Sequence, residues 1–116
     1  QALRNLLKGL ERSDNEARLK WASDVADLFK QDSESFEIAF EGMTIFLRDL
    51  AATLAGRAEA DLASQDLIPE LRRWRERVAL PDVTSRLDAV LRFRRALSAN
   101  AHKEMAALDL ARHMAV

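Results

Sequence analysis

Three observations predict an all-α fold. The chain is rich in Ala, Leu, Arg and Glu and poor in β-branched residues, and these abundant types lose least on entering a helix. Apolar residues recur at steps of three and four, and no segment shows the strict alternation of a half-buried strand. The 3 glycines and 2 prolines among 116 residues are few, and several sit where helices would start or stop. The expected architecture is one domain over residues 1–116, a bundle of five to six helices around a central helix near 35–56. A chain of this length buries roughly two-thirds of its unfolded surface, enough for a single core.

The first helix carries Leu3, Leu6, Leu7 and Leu10 on one face and ends near Glu11 or Arg12. Ser13-Asp14-Asn15-Glu16 has the form of a capping box, with Ser13 as the cap. A second helix follows, with Trp21, Val25, Leu28 and Phe29 inward, and it stops in the polar stretch Lys30–Ser33. Ser35 is the expected cap of the third helix. Phe36, Phe40, Met43, Leu47, Leu50 and Leu54 form its first apolar row, and Ile38, Ile45 and Ala52 a second at steps of seven. Such breadth predicts burial on more than one side. About twenty residues at 1.5 Å each span roughly 30 Å, a domain diameter. Gly56 stands at the position of a C′ glycine.

Residues 57–65 are small and polar and read as a linker. Asp66 is expected to cap a short helix with Pro69 in its first turn and Ile68, Leu71 and Val78 inward. Leu80-Pro81-Asp82 starts another, with Val83, Leu87, Val90, Leu91 and Leu97 as its stripe. Asn100 is the expected cap of the last helix, which buries Met105, Leu108, Leu110 and Met114. Short connections predict mostly antiparallel neighbours.

Several function classes are disfavoured. The formal net charge is −1, from 18 basic and 19 acidic residues, whereas a dedicated nucleic-acid binder carries a basic excess. Cysteine is absent, so there is neither a disulfide framework nor a thiolate metal site. No apolar run approaches the 18 or so residues that span a bilayer. Gly9, Gly42 and Gly56 are isolated and form no phosphate loop. His102 and His113 are eleven residues apart, roughly 16 Å along a helix, so they do not share a zinc ion. The many carboxylates have basic neighbours at helical spacing, such as Glu70 near Arg73 and Asp88 near Arg92, which reads as solvated helix faces. No catalytic, cofactor-binding or metal-binding residue is indicated, and no cofactor is expected.

Two arginine clusters are the only candidate binding features. Arg72, Arg73, Arg75 and Arg77 surround Trp74, and Arg92, Arg94 and Arg95 surround Phe93. Such clusters serve as solvated faces whose stems cover apolar surface, as protein interfaces, or as phosphate-contacting stacking surfaces; the near-zero net charge places the last reading third. Arg72, Trp74, Arg75, Arg92 and Arg95 are the candidate interface residues. Trp74 lies off the Leu71–Val78 stripe and is the candidate for an exposed anchor.

Two stretches resemble a known family. Phe46-Leu47-Arg48-Asp49-Leu50, followed by Ala55-Gly56, resembles the W-L-R-D-L…A-G helix of bacterial clamp-loader subunits, with Phe46 in place of the usual Trp. Arg94-Arg95-Ala96-Leu97-Ser98-Ala99-Asn100-Ala101, leading into Met105, Leu108 and Leu110, resembles the closing pattern of the same family. Ala99-Asn100-Ala101-His102 stands where N-A-N-P is common, so the asparagine spacing is partly matched. The opening helices also fit, and the resemblance covers nearly the whole chain.

The resemblance implies a non-catalytic collar domain of a DNA polymerase III clamp-loader subunit, delta-prime first and gamma/tau second. In that family the collar follows an AAA+ module, so the chain is expected to be part of a longer cytoplasmic protein that lacks that module here. Five such domains pack in a ring, so the implied partners are the other loader subunits, delta and gamma/tau. DNA is met only through the complex, and no membrane is involved. A free-standing helical-bundle adaptor or regulatory domain is the alternative.

Overall fold

The computed structural model describes residues 2–12, 14–99 and 102–116. Every regular element among them is helical: α1 (Ala2–Leu10), α2 (Asn15–Gln31), α3 (Ser33–Leu54), two 3-10 turns (Glu59–Asp61 and Gln65–Leu67), α4 (Ile68–Arg75), α5 (Leu80–Ser98) and α6 (Lys103–Met114). The radius of gyration, 13.6 Å, is that of a close-packed domain of this length. The all-α bundle expected from the sequence is present, and α3 is its axis: α1, α2, α4 and α5 all pack against it.

The core is built on the first apolar row of α3. Phe36, Phe40, Met43, Leu47 and Leu50 are all buried. Phe36 stacks on Phe40 with ring centroids 4.6 Å apart, Phe29 of α2 meets Phe36 edge-on at 5.0 Å, and Phe93 of α5 lies 5.4 Å from Phe40. Offset and edge-on pairs of this kind add roughly 0.5–1.5 kcal/mol each beyond area burial. α5 runs antiparallel to α3: Arg94 pairs with Glu37 near the start of α3, while Leu80 sits beside Ala51, Ala52 and Ala55 at its end. α6 likewise runs against α2, with the Lys103 ammonium over the Phe29 ring at 5.6 Å and the Val116 N–H donating to Leu10 O beyond the far end.

α1 is held to α2 by a close approach. The Trp21 indole N–H donates to Leu6 O at 3.0 Å. A Cβ on Gly9 would come within 2.8 Å of the Trp21 ring, so only glycine lets the helix and the ring touch here.

The helix ends differ in detail from expectation. The residue that caps α2 is Asp14, whose carboxylate accepts from Ala17 N–H at 2.7 Å; Ser13 lies outside the described residues. Between α2 and α3 the expected polar linker shrinks to one residue. Asp32 ends α2 and caps α3, and its carboxylate accepts from both the backbone N–H and the hydroxyl of Ser35. Ser35, expected as the cap, is therefore inside the helix. A carboxylate can take two donors at once, which a serine hydroxyl does less well. These bonds hold the Asp32 carboxyl below its ordinary range, with the Ser35 hydroxyl contributing most.

α3 ends as the sequence predicts. Gly56 has φ 99°, with Gly56 N–H donating to Thr53 O and Arg57 N–H to Ala52 O, the paired bonds of a Schellman motif. Asp66 lies within a 3-10 turn and does not cap α4, which starts without a side-chain cap. Asp82 reaches back to accept from Ala79 N–H at the start of α5. The expected cap Asn100 is outside the described residues, and the α6 cap is His102, whose Nδ1 accepts from Met105 N–H.

Residues 57–65 are not a free linker. Leu62 and Ser64 are buried, and the Asp49 carboxylate, also buried, accepts from Ala63 N–H at 3.3 Å and Ser64 N–H at 2.7 Å. Asp49 and Glu70 are thus corrections to the reading of the carboxylates as solvated faces. Glu70 pairs with Arg4 of α1, not with Arg73. At the other end of the bundle, Arg86 donates to the carbonyls of Met114 and Ala115, giving partners to acceptors that α6 leaves free. Burial lowers the Arg86 pKa from its ordinary value.

Two outcomes follow. Asp49→Ala leaves two N–H groups without their acceptor, a loss of about 1–3 kcal/mol for each buried group; hydrogen exchange should quicken across residues 59–67 well before the rest of the bundle. The second concerns pH. The Asp32 carboxyl is lowered from 3.8, so its contribution is full above that value and fades as the pH falls through the folded-state pKa. In urea titrations, the stability gap between wild type and Asp32→Ala should be constant from neutrality to about pH 5 and narrow below pH 4.

Candidate subunit interface

The arginines around Trp74 are placed by α4, whose eight residues project side chains toward α1, α3 and the 57–65 segment. Arg72 holds Glu59 through two bonds of 2.9 and 2.7 Å. Its guanidinium keeps the Glu59 carboxyl below the usual range, and Glu59 in turn raises Arg72. Arg73 grips Glu11 at the end of α1 through bonds of 2.7 and 3.3 Å, and its pKa is raised by that carboxylate. Arg77 lies 4.0 Å from the same carboxylate. Three of the four arginines thus secure α4 to neighbouring segments. Arg75 is exposed and makes no ion pair with the described residues.

Trp74 is not an exposed anchor. It is 0% exposed and meets Phe46 edge-on at 5.3 Å. Sequence periodicity misplaced it because α4 ends at Arg75, so a stripe drawn from Leu71 to Val78 does not run along one helix. Its Nε1–H is buried without a hydrogen-bond partner among the described residues.

On α5, Phe93 is buried and leaves its arginine neighbours at the surface. Arg92 pairs with Asp88 at 3.2 Å and Arg94 with Glu37 at 2.6 Å. Arg95 is exposed, with no ion pair to the described residues. It borders a shallow hollow of about 460 Å³ with Leu91, Arg94, Ser98 and Ala99. Leu91 was expected in the core but is 44% exposed on this surface.

The two arginine clusters do not form one patch. Trp74 packs on Phe46, and Phe93 packs on Phe40. Six residues of helix turn those two positions of α3 about 120° apart, so α4 and α5 lie on different sides of it.

Sequence reading also missed an exposed apolar face. Ile38 is 66% and Ile45 37% exposed, and Met105 of α6 is 62% exposed. Of the row Ile38, Ile45 and Ala52, the two isoleucines face outward, while Ala52 is half-buried against the core. The separation of this row from the Phe36–Leu54 row was legible, but apolarity alone cannot say which of two rows the neighbouring helices cover.

A cleft of about 680 Å³ between α1 and α2 has Leu6, Gly9 and Trp21 among its apolar lining. Its charged rim of Lys8, Arg12, Lys20, Asp14, Glu16 and Asp24 is exposed and balanced in sign. Both histidines are exposed. Among the described residues, no group of three or more His, Asp or Glu lies where it could hold a metal ion, and no helix is long and apolar enough to cross a membrane. No family model matches the chain, and no curated protein or solved structure matches it.

The burial of Trp74 separates packing from binding. Trp74→Ala should lower stability by about 3–5 kcal/mol. Trp74→Phe should cost less, since it keeps a six-membered aromatic ring, leaves a smaller void than alanine and removes an N–H that has no partner among the described residues. Equal losses in chemical denaturation would contradict this account of the residue.

Proposed function

We propose that this chain is a collar-type packing module of a bacterial clamp-loader subunit, and that its work is to bind neighbouring subunits, not to catalyse a reaction. The observation that carries the reading is what the residues of the resemblance do. Leu47 and Leu50 are buried in the core, Asp49 holds Ala63 and Ser64, and Gly56 closes α3 with positive φ. A motif whose members each have a packing or backbone duty suits a rigid assembly module.

Of the candidate interface residues, Arg92 and Arg95 of α5 fit the role best, with exposed Leu91 beside them. Arginine is enriched at protein interfaces, and Leu91 adds exposed apolar surface beside it. Arg72 is less suited because two bonds hold it to Glu59 of another segment, whereas the Arg92–Asp88 pair lies within one helix. Trp74 is excluded by burial.

The reading is tested by mixing the chain, joined to its upstream module, with delta and gamma/tau subunits and following assembly by size-exclusion chromatography. Leu91→Asp combined with Arg95→Glu should reduce assembly at least tenfold while leaving the helical circular dichroism intact. Assembly unaffected by both changes would remove α5 as the interface; failure of the wild-type chain to join any loader subunit would sink the collar reading itself.

A further inference from the structure

The exposed face of α3 has a pattern that the collar reading does not use. Ile38, Glu41, Ile45, Arg48 and Ala52 follow one another at steps of three, four, three and four. At 100° per residue they fall within an arc of about 80°. That spacing is the seam of a two-helix contact. Ile38 and Ile45 are among the most exposed large apolar side chains of the domain. Glu41 and Arg48 are exposed, and neither makes an ion pair with the described residues. They are seven residues apart, roughly 10 Å along the axis, beyond the reach of one another's favoured helical pairing.

We infer that a second copy of this chain packs on this face, with the two α3 helices antiparallel about a twofold axis at Ile45. The charges select that occupant and that direction. A parallel pairing sets Glu41 against Glu41 and Arg48 against Arg48. An antiparallel pairing centred on Ile45 brings Glu41 of each copy to within one residue, about 1.5 Å of rise, of Arg48 of the other, at both ends of the contact. It also sets Ile38 opposite Ala52. Ala52 borders a hollow of about 670 Å³ with Ala51, Ala55 and Leu80, so the large side chain meets a recess. A patch that is its own complement is the signature of an isologous contact, unlike the head-to-tail contacts by which a ring closes. The inference therefore stands apart from the collar reading.

The seam covers fourteen residues of rise, roughly 21 Å, which makes a small interface. Self-association in the micromolar range or weaker is expected, because stable interfaces bury about 800 Å² per partner. Each charge reversal replaces two attractive contacts by two repulsive ones in the dimer, since the axis repeats every change.

Sedimentation of the 116-residue chain over a micromolar-to-millimolar concentration series tests this. Wild type should pass from monomer to dimer. Glu41→Arg and Arg48→Glu should each weaken the dimer at least tenfold, and the double variant should regain affinity within about threefold of wild type. Both charged positions are exposed, so circular dichroism should be unchanged throughout. A chain that stays monomeric at every concentration overturns the inference, even if the same reversals weaken binding to a loader subunit; the face would then belong to that neighbour. A dimer insensitive to single reversals, or one not rescued by the double variant, overturns the antiparallel seam.

Discussion

The burial of one helix organises this domain. α3 is covered by α1, α2, α4 and α5, and the side chains that meet them are the row from Phe36 to Leu50 together with Phe46 on the side of α4. α1, α2, α4 and α5 turn apolar faces to it, while α6 packs on α2 and α5. Because interiors pack at the density of organic crystals, the fit of Phe29, Phe36, Phe40 and Phe93 fixes where α2 and α5 lie on α3. The edge contact of Phe46 with Trp74 does the same for α4. Apolar contact supplies the stabilisation, and the aromatic geometry narrows it to one arrangement.

A second layer of order comes from polar groups that cross between segments. Trp21 ties α2 to α1, Asp49 ties the 57–65 segment to α3, Glu70 and Arg4 tie α4 to α1, and Arg86 ties α5 to the end of α6. Buried or half-buried groups of this type must find partners, since an unsatisfied one is expensive. Each therefore specifies a neighbour. Surface pairs such as Lys20–Asp24 and Arg92–Asp88 lie within one helix and specify nothing about tertiary structure.

Much of the fold was legible in the sequence. Period and composition suffice for the six helices, and Gly56 marks the end of α3 because positive φ leaves few alternatives to glycine. Helix starts were less legible. Where Ser and Asp stand near one another, as at Asp14 or Asp32 with Ser35, both satisfy the cap preference, and only the local geometry chooses. Burial of polar residues was not legible either. Nothing local distinguishes Asp49 from Asp88, because its partners are fourteen and fifteen residues away in a segment that looks like a linker. The same holds for the candidate interface: Arg92, Arg95 and Arg75 are at the surface as expected, whereas the fate of Trp74 was decided by where α4 stops. The outer position of Ile38 and Ile45 depended on which sides the neighbours chose.

The single-residue joint at Asp32 has a consequence for the rotational phase of the bundle. Asp32 N–H closes α2 on Leu28 O, and Asp32 O opens α3 to Phe36 N–H, so the helices share a residue and no slack lies between them. Adding or removing one residue there would index α3 by 100° about its own axis. Phe36 and Phe40 would swing away from Phe29 and Phe93, and the outer row would turn toward the core. Length in this part of the chain is thus coupled to which face of α3 is inside.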